Sequence, residues 1–99
     1  MLTDAHLLVD VNTDRTTTVR LSGDIQGDAL GTVRDALESA VGSGPLIVDL
    51  SEVTFLDSAA VGLLFEVAAE RSLELVLGPA SAVFPIIQVS GLGRVATIR

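Results

Sequence analysis

The sequence contains no cysteine and no lysine, and its aromatic residues are three phenylalanines. Without cysteine it forms neither disulfides nor thiolate metal sites, which is consistent with a reducing compartment. With so few aromatic side chains, a core must be built from the aliphatic residues that dominate the 48% apolar fraction. A chain of 99 residues has room for one domain with its own core, so we predict a single domain over residues 1–99.

Positive charge is scarce: the sequence has six arginines and thirteen acidic residues, which gives a net charge of −7. Such a surface repels nucleic-acid phosphates and anionic lipid headgroups, so we expect no direct nucleic-acid binding and a protein partner with a basic surface. No apolar run approaches the roughly 20 residues of a membrane-spanning helix, and the start of the chain lacks the basic segment of a secretion signal. We therefore expect a cytoplasmic protein that does not insert into membranes.

The hydrophobic pattern predicts strands that alternate with helices. Strand patterns occupy residues 6–11, 16–22, 46–50, 73–77 and 95–98. Apolar residues with the helical period occupy segments that begin at Ala29, run from Ser58 to about Arg71, and run from Ala82 to Leu92 with Pro85 in the first turn. The order β-β-α-β-α-β-α-β predicts an α/β fold with a mixed, mostly parallel sheet.

Few residues qualify for catalysis or metal binding. His6 is the one histidine, and nothing local places it beside a serine as a Ser-His-Asp triad requires. The acidic residues are scattered rather than spaced like a calcium loop. We therefore predict no metal, no cofactor and no enzymatic activity. A hydrolase that uses Ser58 as nucleophile and His6 as base is the enzymatic alternative.

One polar pair, Asp57 and Ser58, interrupts the apolar stretch "VTFLDSAAVGLL" of residues 53–64. In a structural interpretation, the pair only caps the helix that follows. In a functional interpretation, Ser58 is phosphorylated, because the N–H groups and dipole of a helix N-terminus favour an anion. The small Ala59 and Ala60 leave room for a kinase, and the phosphate adds roughly −1.5 to −2 charge beside Asp57. The local pattern leaves both interpretations open.

The segment "LIVDLSEVTFLDSAAVGLL" resembles the hallmark of the STAS domain family, named for sulfate transporters and anti-sigma factor antagonists. The segments "RLSGDI" and "VSGLGRV" are similar to two further family segments, so the resemblance covers nearly the whole chain. The chain departs from many members at Ala59 and Ala60, where they carry Ser and Gly, and at Gln26, where they carry a second acid. The resemblance implies a STAS-like mixed sheet with helices largely on one side.

The same resemblance implies an anti-sigma factor antagonist. Ser58 aligns with the residue that a partner serine kinase phosphorylates, Asp57 with the acid before it, and Asp24 with an acid that contributes to partner contact. Ala59 and Ala60 complete the expected partner-binding set. In such proteins the unmodified antagonist binds an anti-sigma factor, often itself the kinase, and so frees a sigma factor. Phosphorylation blocks this binding, and a phosphatase restores it.

A second interpretation keeps the fold but involves no control of a sigma factor. The chain also resembles accessory subunits of membrane transporters, in which Ser58 is a surface contact or a plain helix cap and no phosphorylation switch exists. The identity of the anti-sigma factor and the oligomeric state stay open at the level of sequence.

Overall fold

A computed structural model describes residues 6–11, 17–39, 45–78 and 81–99, with the backbone alone for 6–11 and 39. Strands β1 to β5 are His6–Val11, Thr17–Ile25, Leu46–Leu56, Leu73–Val76 and Thr97–Ile98. Helices α1 to α3 are Ala29–Ser39, Ser58–Glu70 and Phe84–Ser90, and a 3₁₀ turn spans Leu92–Arg94. In this part of the chain the elements follow the predicted order; the predicted start of β2 at residue 16 lies outside the described residues.

The described strands form one sheet in the order β1-β2-β3-β4-β5. Strand β1 runs antiparallel to β2, whereas β2, β3, β4 and β5 are parallel to their neighbours. Each parallel connection passes through one of the three helices, as the long return path between parallel strands requires. The predicted fold class, α/β with a mixed and mostly parallel sheet, is confirmed.

The core lies between one face of this sheet and the helices. Along β2 every second residue from Thr17 to Ile25 is buried, which is the period of a strand with one covered face. The buried residues of the sheet and of the helices form one apolar cluster, so the helices cover one face of the sheet, as the resemblance implied. The cluster includes Val19, Leu21, Ile25, Val33, Leu37, Val48, Leu50, Ala60, Leu63, Leu64, Leu75 and Ile87.

Strand β3 is longer than the sequence predicts. The predicted strand covers residues 46–50, but β3 continues to Leu56. Two register shifts between β2 and β3 each insert one extra residue into β3, and each extra residue turns the chain so that two successive side chains face outward. Buried residues then recur at Leu50, Val53 and Leu56, at intervals of three. Because these buried positions are three residues apart, the second half of the strand lacks the alternation of buried and exposed residues by which strands are predicted from a sequence.

Helix α3 is shorter than the predicted segment 82–92. It begins at Phe84, with Pro85 in the first turn as predicted, where the missing N–H costs no intrahelical bond. Gly91 ends it in the left-handed conformation, with φ of +87°, which glycine adopts without steric cost. The last strand is also shorter than the predicted 95–98, because the N–H groups of Val95 and Ala96 donate to the carbonyl oxygen of Leu92 and β5 begins only at Thr97.

Candidate partner-binding site

Strands β2 and β3 end side by side, with Ile25 opposite Leu56. The backbone N–H of Asp57 donates a hydrogen bond to the carbonyl oxygen of Ile25 at 3.4 Å, and α2 begins at the next residue. The carboxyl ends of two parallel strands and the amino end of a helix therefore meet. We call this surface, formed by residues 24–25 and 54–59, the carboxyl edge.

Asp57 caps helix α2. Its backbone is extended, with φ of −85° and ψ of 175°, and its Oδ1 accepts a hydrogen bond from the backbone N–H of Ala60 at 2.8 Å. Its carbonyl oxygen accepts the first helical bond, from the N–H of Val61 at 3.1 Å. A side-chain cap of this kind stabilises a helix by about 1 kcal/mol. The capping role expected of the polar pair thus belongs to its first member.

Ser58, the second member of the pair, is the first residue of α2 and is exposed. Among the described residues its hydroxyl has no hydrogen-bond partner, because the cap is supplied by Asp57. The first-turn N–H groups of a helix lack intrahelical acceptors, and the helix dipole places about half a positive charge there. The Ser58 hydroxyl is therefore exposed and unpaired among the described residues, in surroundings that favour an anion.

The two alanines after Ser58 lie in different environments. Ala59 is exposed and continues the surface that carries the hydroxyl. Ala60 has an exposed fraction of 2% and belongs to the core. The side chain of Ala60 therefore faces away from any partner, and a larger residue there would collide with the core. The other four residues of the expected set, Asp24, Asp57, Ser58 and Ala59, are exposed or partly exposed.

A bulge directs Asp24 to the carboxyl edge. Gly23 is opposite Val53, but Asp24 is opposite Phe55, so Thr54 is the extra residue of β3. Gly23 has φ of +82°, a left-handed conformation that other residues adopt only with strain. The Thr54 hydroxyl donates a hydrogen bond to Oδ1 of Asp24. Together the glycine and the hydroxyl set the direction of the Asp24 carboxylate.

Thr54 and Phe55 belong to the carboxyl edge although no sequence pattern marks them as site residues. In a regular strand, Thr54 would face outward and Phe55 inward, because successive side chains alternate. The bulge leaves both exposed. Only the register between β2 and β3 contains this information, so period-two analysis could not find either residue.

Two acidic residues of the carboxyl edge, Asp24 and Asp57, and the nearby Glu52 form no ion pair with any described residue. Three of the described acids elsewhere face an arginine. The ion pairs are Arg20–Asp49 at 3.6 Å, Arg34–Glu66 at 3.4 Å and Arg99–Glu74 at 3.2 Å. The negative potential of the carboxyl edge is therefore not neutralised from within these parts of the chain, which suits a basic partner.

The geometry supplies no catalytic base for Ser58 among the described side chains. The side chain of His6 lies outside the described part, and its strand, β1, is separated from β3 by β2. No group of three or more metal-ligating side chains converges within the described residues. None of the described helices is long and apolar enough to cross a membrane. What the carboxyl edge offers chemically is an exposed hydroxyl beside the carboxylates of Asp57 and Asp24.

The sequence and the fold both match known proteins. Residues 9–98 match the family model described as "Mlab, STAS domain". The chain belongs to the STAS domain family. This STAS domain is 28% identical over 95 residues to the anti-sigma F factor antagonist of Lysinibacillus sphaericus, and the alignment covers 89% of the chain and 81% of that protein. The family resemblance seen in the sequence is confirmed.

Solved structures agree with the STAS fold. An anti-sigma factor antagonist from Mycobacterium paratuberculosis has a TM-score of 0.82 at 22% identity, over 96% of this chain and 85% of that one. Unphosphorylated SpoIIAA gives 0.73 at 22% identity, over 95% and 88% of the two chains. Phosphorylated SpoIIAA, a Bacillus cell fate determinant, gives 0.66 at 22% identity, over 95% and 91%. These relatives are named for antagonism of anti-sigma factors, which is regulation by binding rather than catalysis.

Proposed function

We propose that this STAS domain is an anti-sigma factor antagonist that is switched off by phosphorylation of Ser58. The observation that carries the proposal is the exposed Ser58 hydroxyl, which is not used as the helix cap. A serine that served only as a cap would direct its oxygen to the first-turn N–H groups. Here Asp57 accepts the bond from Ala60, which leaves the Ser58 hydroxyl accessible to a kinase.

In the unmodified state, the proposed contact surface is the carboxyl edge with Asp24, Asp57, Ser58 and Ala59. Two carboxylates beside a small, flat helix start allow close approach of another protein. Complementary charge raises the association rate and selects partners with a basic surface. This chain, with a net charge of −7, fits an anti-sigma factor with such a surface. Binding would occupy the anti-sigma factor and free its sigma factor.

Phosphorylation would change this surface without changing the fold. Ser58 is exposed at the first position of α2, so a phosphate there displaces no core side chain, and the helix N-terminus favours an anion. The phosphate is bulkier than the hydroxyl and adds roughly −1.5 to −2 charge next to the Asp57 carboxylate. Burying such a group in an interface formed around a hydroxyl carries a large desolvation cost. The modified protein would therefore release its partner.

The partners follow from this scheme. A serine kinase, which in this scheme is the anti-sigma factor itself, supplies the ATP, so the STAS domain needs no cofactor of its own. A phosphatase removes the phosphate and restores binding, and both act in the cytoplasm with the sigma factor. The sequence relative is named an anti-sigma F factor antagonist. The structural relative SpoIIAA is known in unphosphorylated and phosphorylated forms. Both names support the proposal.

The test is incubation of the full chain with each serine-kinase anti-sigma factor of its organism, with Mg-ATP, followed by mass spectrometry. We expect one phosphoryl group, located on Ser58 by peptide sequencing. Ser58→Ala should remain unmodified and bind the anti-sigma factor with or without ATP. The matched control is Ser72→Ala, at the opposite end of α2, where the serine is also exposed; it should behave like the unsubstituted protein.

A stability measurement separates the switch from a structural role. Because Asp57 supplies the cap, Ser58→Ala should change the free energy of unfolding by less than about 0.5 kcal/mol. A loss of about 1 kcal/mol would show that Ser58 is itself the cap. The switch is refuted if Ser58 stays unmodified and ATP leaves partner binding unchanged. Co-purification with a transporter complex in that case would favour the accessory-subunit alternative.

A further inference from the structure

Phe55 is an exposed aromatic side chain at the carboxyl edge. Its exposed fraction is 41%, whereas Phe65 and Phe84, the other two phenylalanines, pack against the core. Other large apolar side chains exposed within the described residues are Val89 on α3 and Val95 after the 3₁₀ turn. Phe55 alone among these three lies beside Asp57 and Ser58.

The bulge at Thr54 is the reason that Phe55 faces outward. Strand alternation from the buried Val53 would place Thr54 outside and Phe55 inside. The extra residue reverses the direction of Phe55 and places it opposite Asp24. Leu56 then returns to the core with an exposed fraction of 4%. The fold thus leaves one of its three aromatic side chains partly exposed at this position.

The surroundings of Phe55 resemble the centre of a protein interface. Such interfaces have an apolar centre, enriched in aromatic residues, and a polar rim. Around Phe55 the rim is acidic, with Asp24 at the same register position, Asp57 two residues further on, and Glu52 on the preceding bulge. None of these three carboxylates forms an ion pair with a described residue. An apolar pocket bordered by arginine or lysine is complementary to this arrangement.

We propose that Phe55 is the main apolar contact of this STAS domain with its anti-sigma factor, inserted into a pocket bordered by basic residues. The inference rests on the proposed function and adds a division of roles to it. Phe55 supplies most of the affinity, because large, desolvated aromatic side chains dominate interface energetics. Ser58 supplies the control, because a phosphate three residues away prevents close approach around the phenyl ring.

The test measures binding to the anti-sigma factor by biolayer interferometry, without ATP, for the unsubstituted chain, Phe55→Ala, Phe55→Leu and Val89→Ala. We expect Phe55→Ala to raise Kd by about tenfold or more, mainly through faster dissociation. Phe55→Leu, which keeps most of the apolar volume, should lose clearly less. Val89→Ala is the matched control, because Val89 is 87% exposed and lies on α3, away from the carboxyl edge; it should change Kd by less than about twofold.

Folding of each variant is checked by urea unfolding, where Phe55→Ala should still unfold in one cooperative transition. If the unsubstituted chain binds and Phe55→Ala binds equally well, the role of Phe55 is refuted and the proposed function stands. If the unsubstituted chain binds no anti-sigma factor, the proposed function fails at that point. If Phe55→Ala leaves partner binding intact and instead abolishes self-association in analytical ultracentrifugation, Phe55 contacts a second copy and the inference is also refuted.

Discussion

The two ends of helix α2 differ in the residues that cap them. The amino end has the capping Asp57 beside Ser58, and the carboxyl end has Arg71 as its last cap, with its N–H bonded to the carbonyl oxygen of Val67 at 3.0 Å. A depression of about 510 Å³ adjoins the carboxyl end and includes Arg71 and Arg94 in its lining. The helix dipole favours anions at the amino end and cations at the carboxyl end. Asp57 and Arg71 agree with this preference, whereas Glu70, the last residue of α2, opposes it.

This comparison shows that charge alone does not identify the end that we propose as the contact surface. An acid and an arginine at opposite ends of a helix are what stability alone favours. What distinguishes the amino end is an exposed hydroxyl that is not used for capping and an outward aromatic residue. Acids on the sheet face that the helices leave uncovered also show that negative charge alone marks no site. Asp49 and Glu74 lie there, and each is paired with an arginine.

The largest effect on the free energy of unfolding is expected from the buried face of α2, which packs the whole helix against the core. Leu63 has an exposed fraction of 2% in α2, and Leu63→Ala should lower the free energy of unfolding by about 3 kcal/mol through lost burial and a cavity. Urea denaturation measures the change. Val89→Ala removes apolar atoms from an exposed position and should cost less than about 0.5 kcal/mol. Equal losses for the two variants would contradict the assignment of the core.

A smaller loss of unfolding free energy is expected from Gly23→Ala in β2, which affects the carboxyl edge beside the amino end of α2. An alanine at φ of +82° costs about 1–2 kcal/mol, and relief of that strain would turn Asp24 away from the carboxyl edge. Both unfolding free energy and partner binding should fall. Gly62→Ala is the control, because an added Cβ meets nothing within 4 Å in this helical position. It should stabilise the protein by about 0.5–1 kcal/mol and leave binding unchanged.

Asp57 allows its two roles at the amino end to be separated. Asp57→Ala removes both the cap and the charge, and should cost about 1 kcal/mol of unfolding free energy together with partner affinity. Asp57→Asn keeps a capping oxygen and removes the charge, so stability should be preserved while partner binding weakens. Chemical denaturation and binding kinetics, measured on the same two variants, test this. Full binding by Asp57→Asn would show that the carboxylate serves only as a cap.

The smallest effect is expected at the opposite end of α2. Arg94→Gln removes one positive charge from the depression near Arg71, and should change unfolding free energy by less than about 0.5 kcal/mol, as an exposed charge usually does. Affinity for the anti-sigma factor should stay the same, because this end does not belong to the proposed contact surface. If Arg94→Gln lowered the affinity as much as Asp57→Asn does, the partner would contact both ends of α2, and the contrast between the two ends would be wrong.

Much of the fold could be predicted from local patterns. The order of elements, the span of α2 and the position of Pro85 all follow from periodicity and helix-start chemistry, which depend on residues close in sequence. The second half of β3 could not be predicted, because its two bulges replace the period of two by intervals of three. The interpretation of Asp57 and Ser58 was ambiguous, since either residue type can cap a helix.

By itself the sequence determined the α/β class, the aliphatic core and the place where an acid and a hydroxyl precede α2, because these depend on composition and on contacts within a few residues. Tertiary structure decided which oxygen caps the helix, which alanine is buried, and that Phe55 faces outward beside Asp24. These outcomes depend on the pairing of β2 with β3, whose residues are about thirty positions apart in the chain. No local pattern encodes a register between strands so distant in sequence.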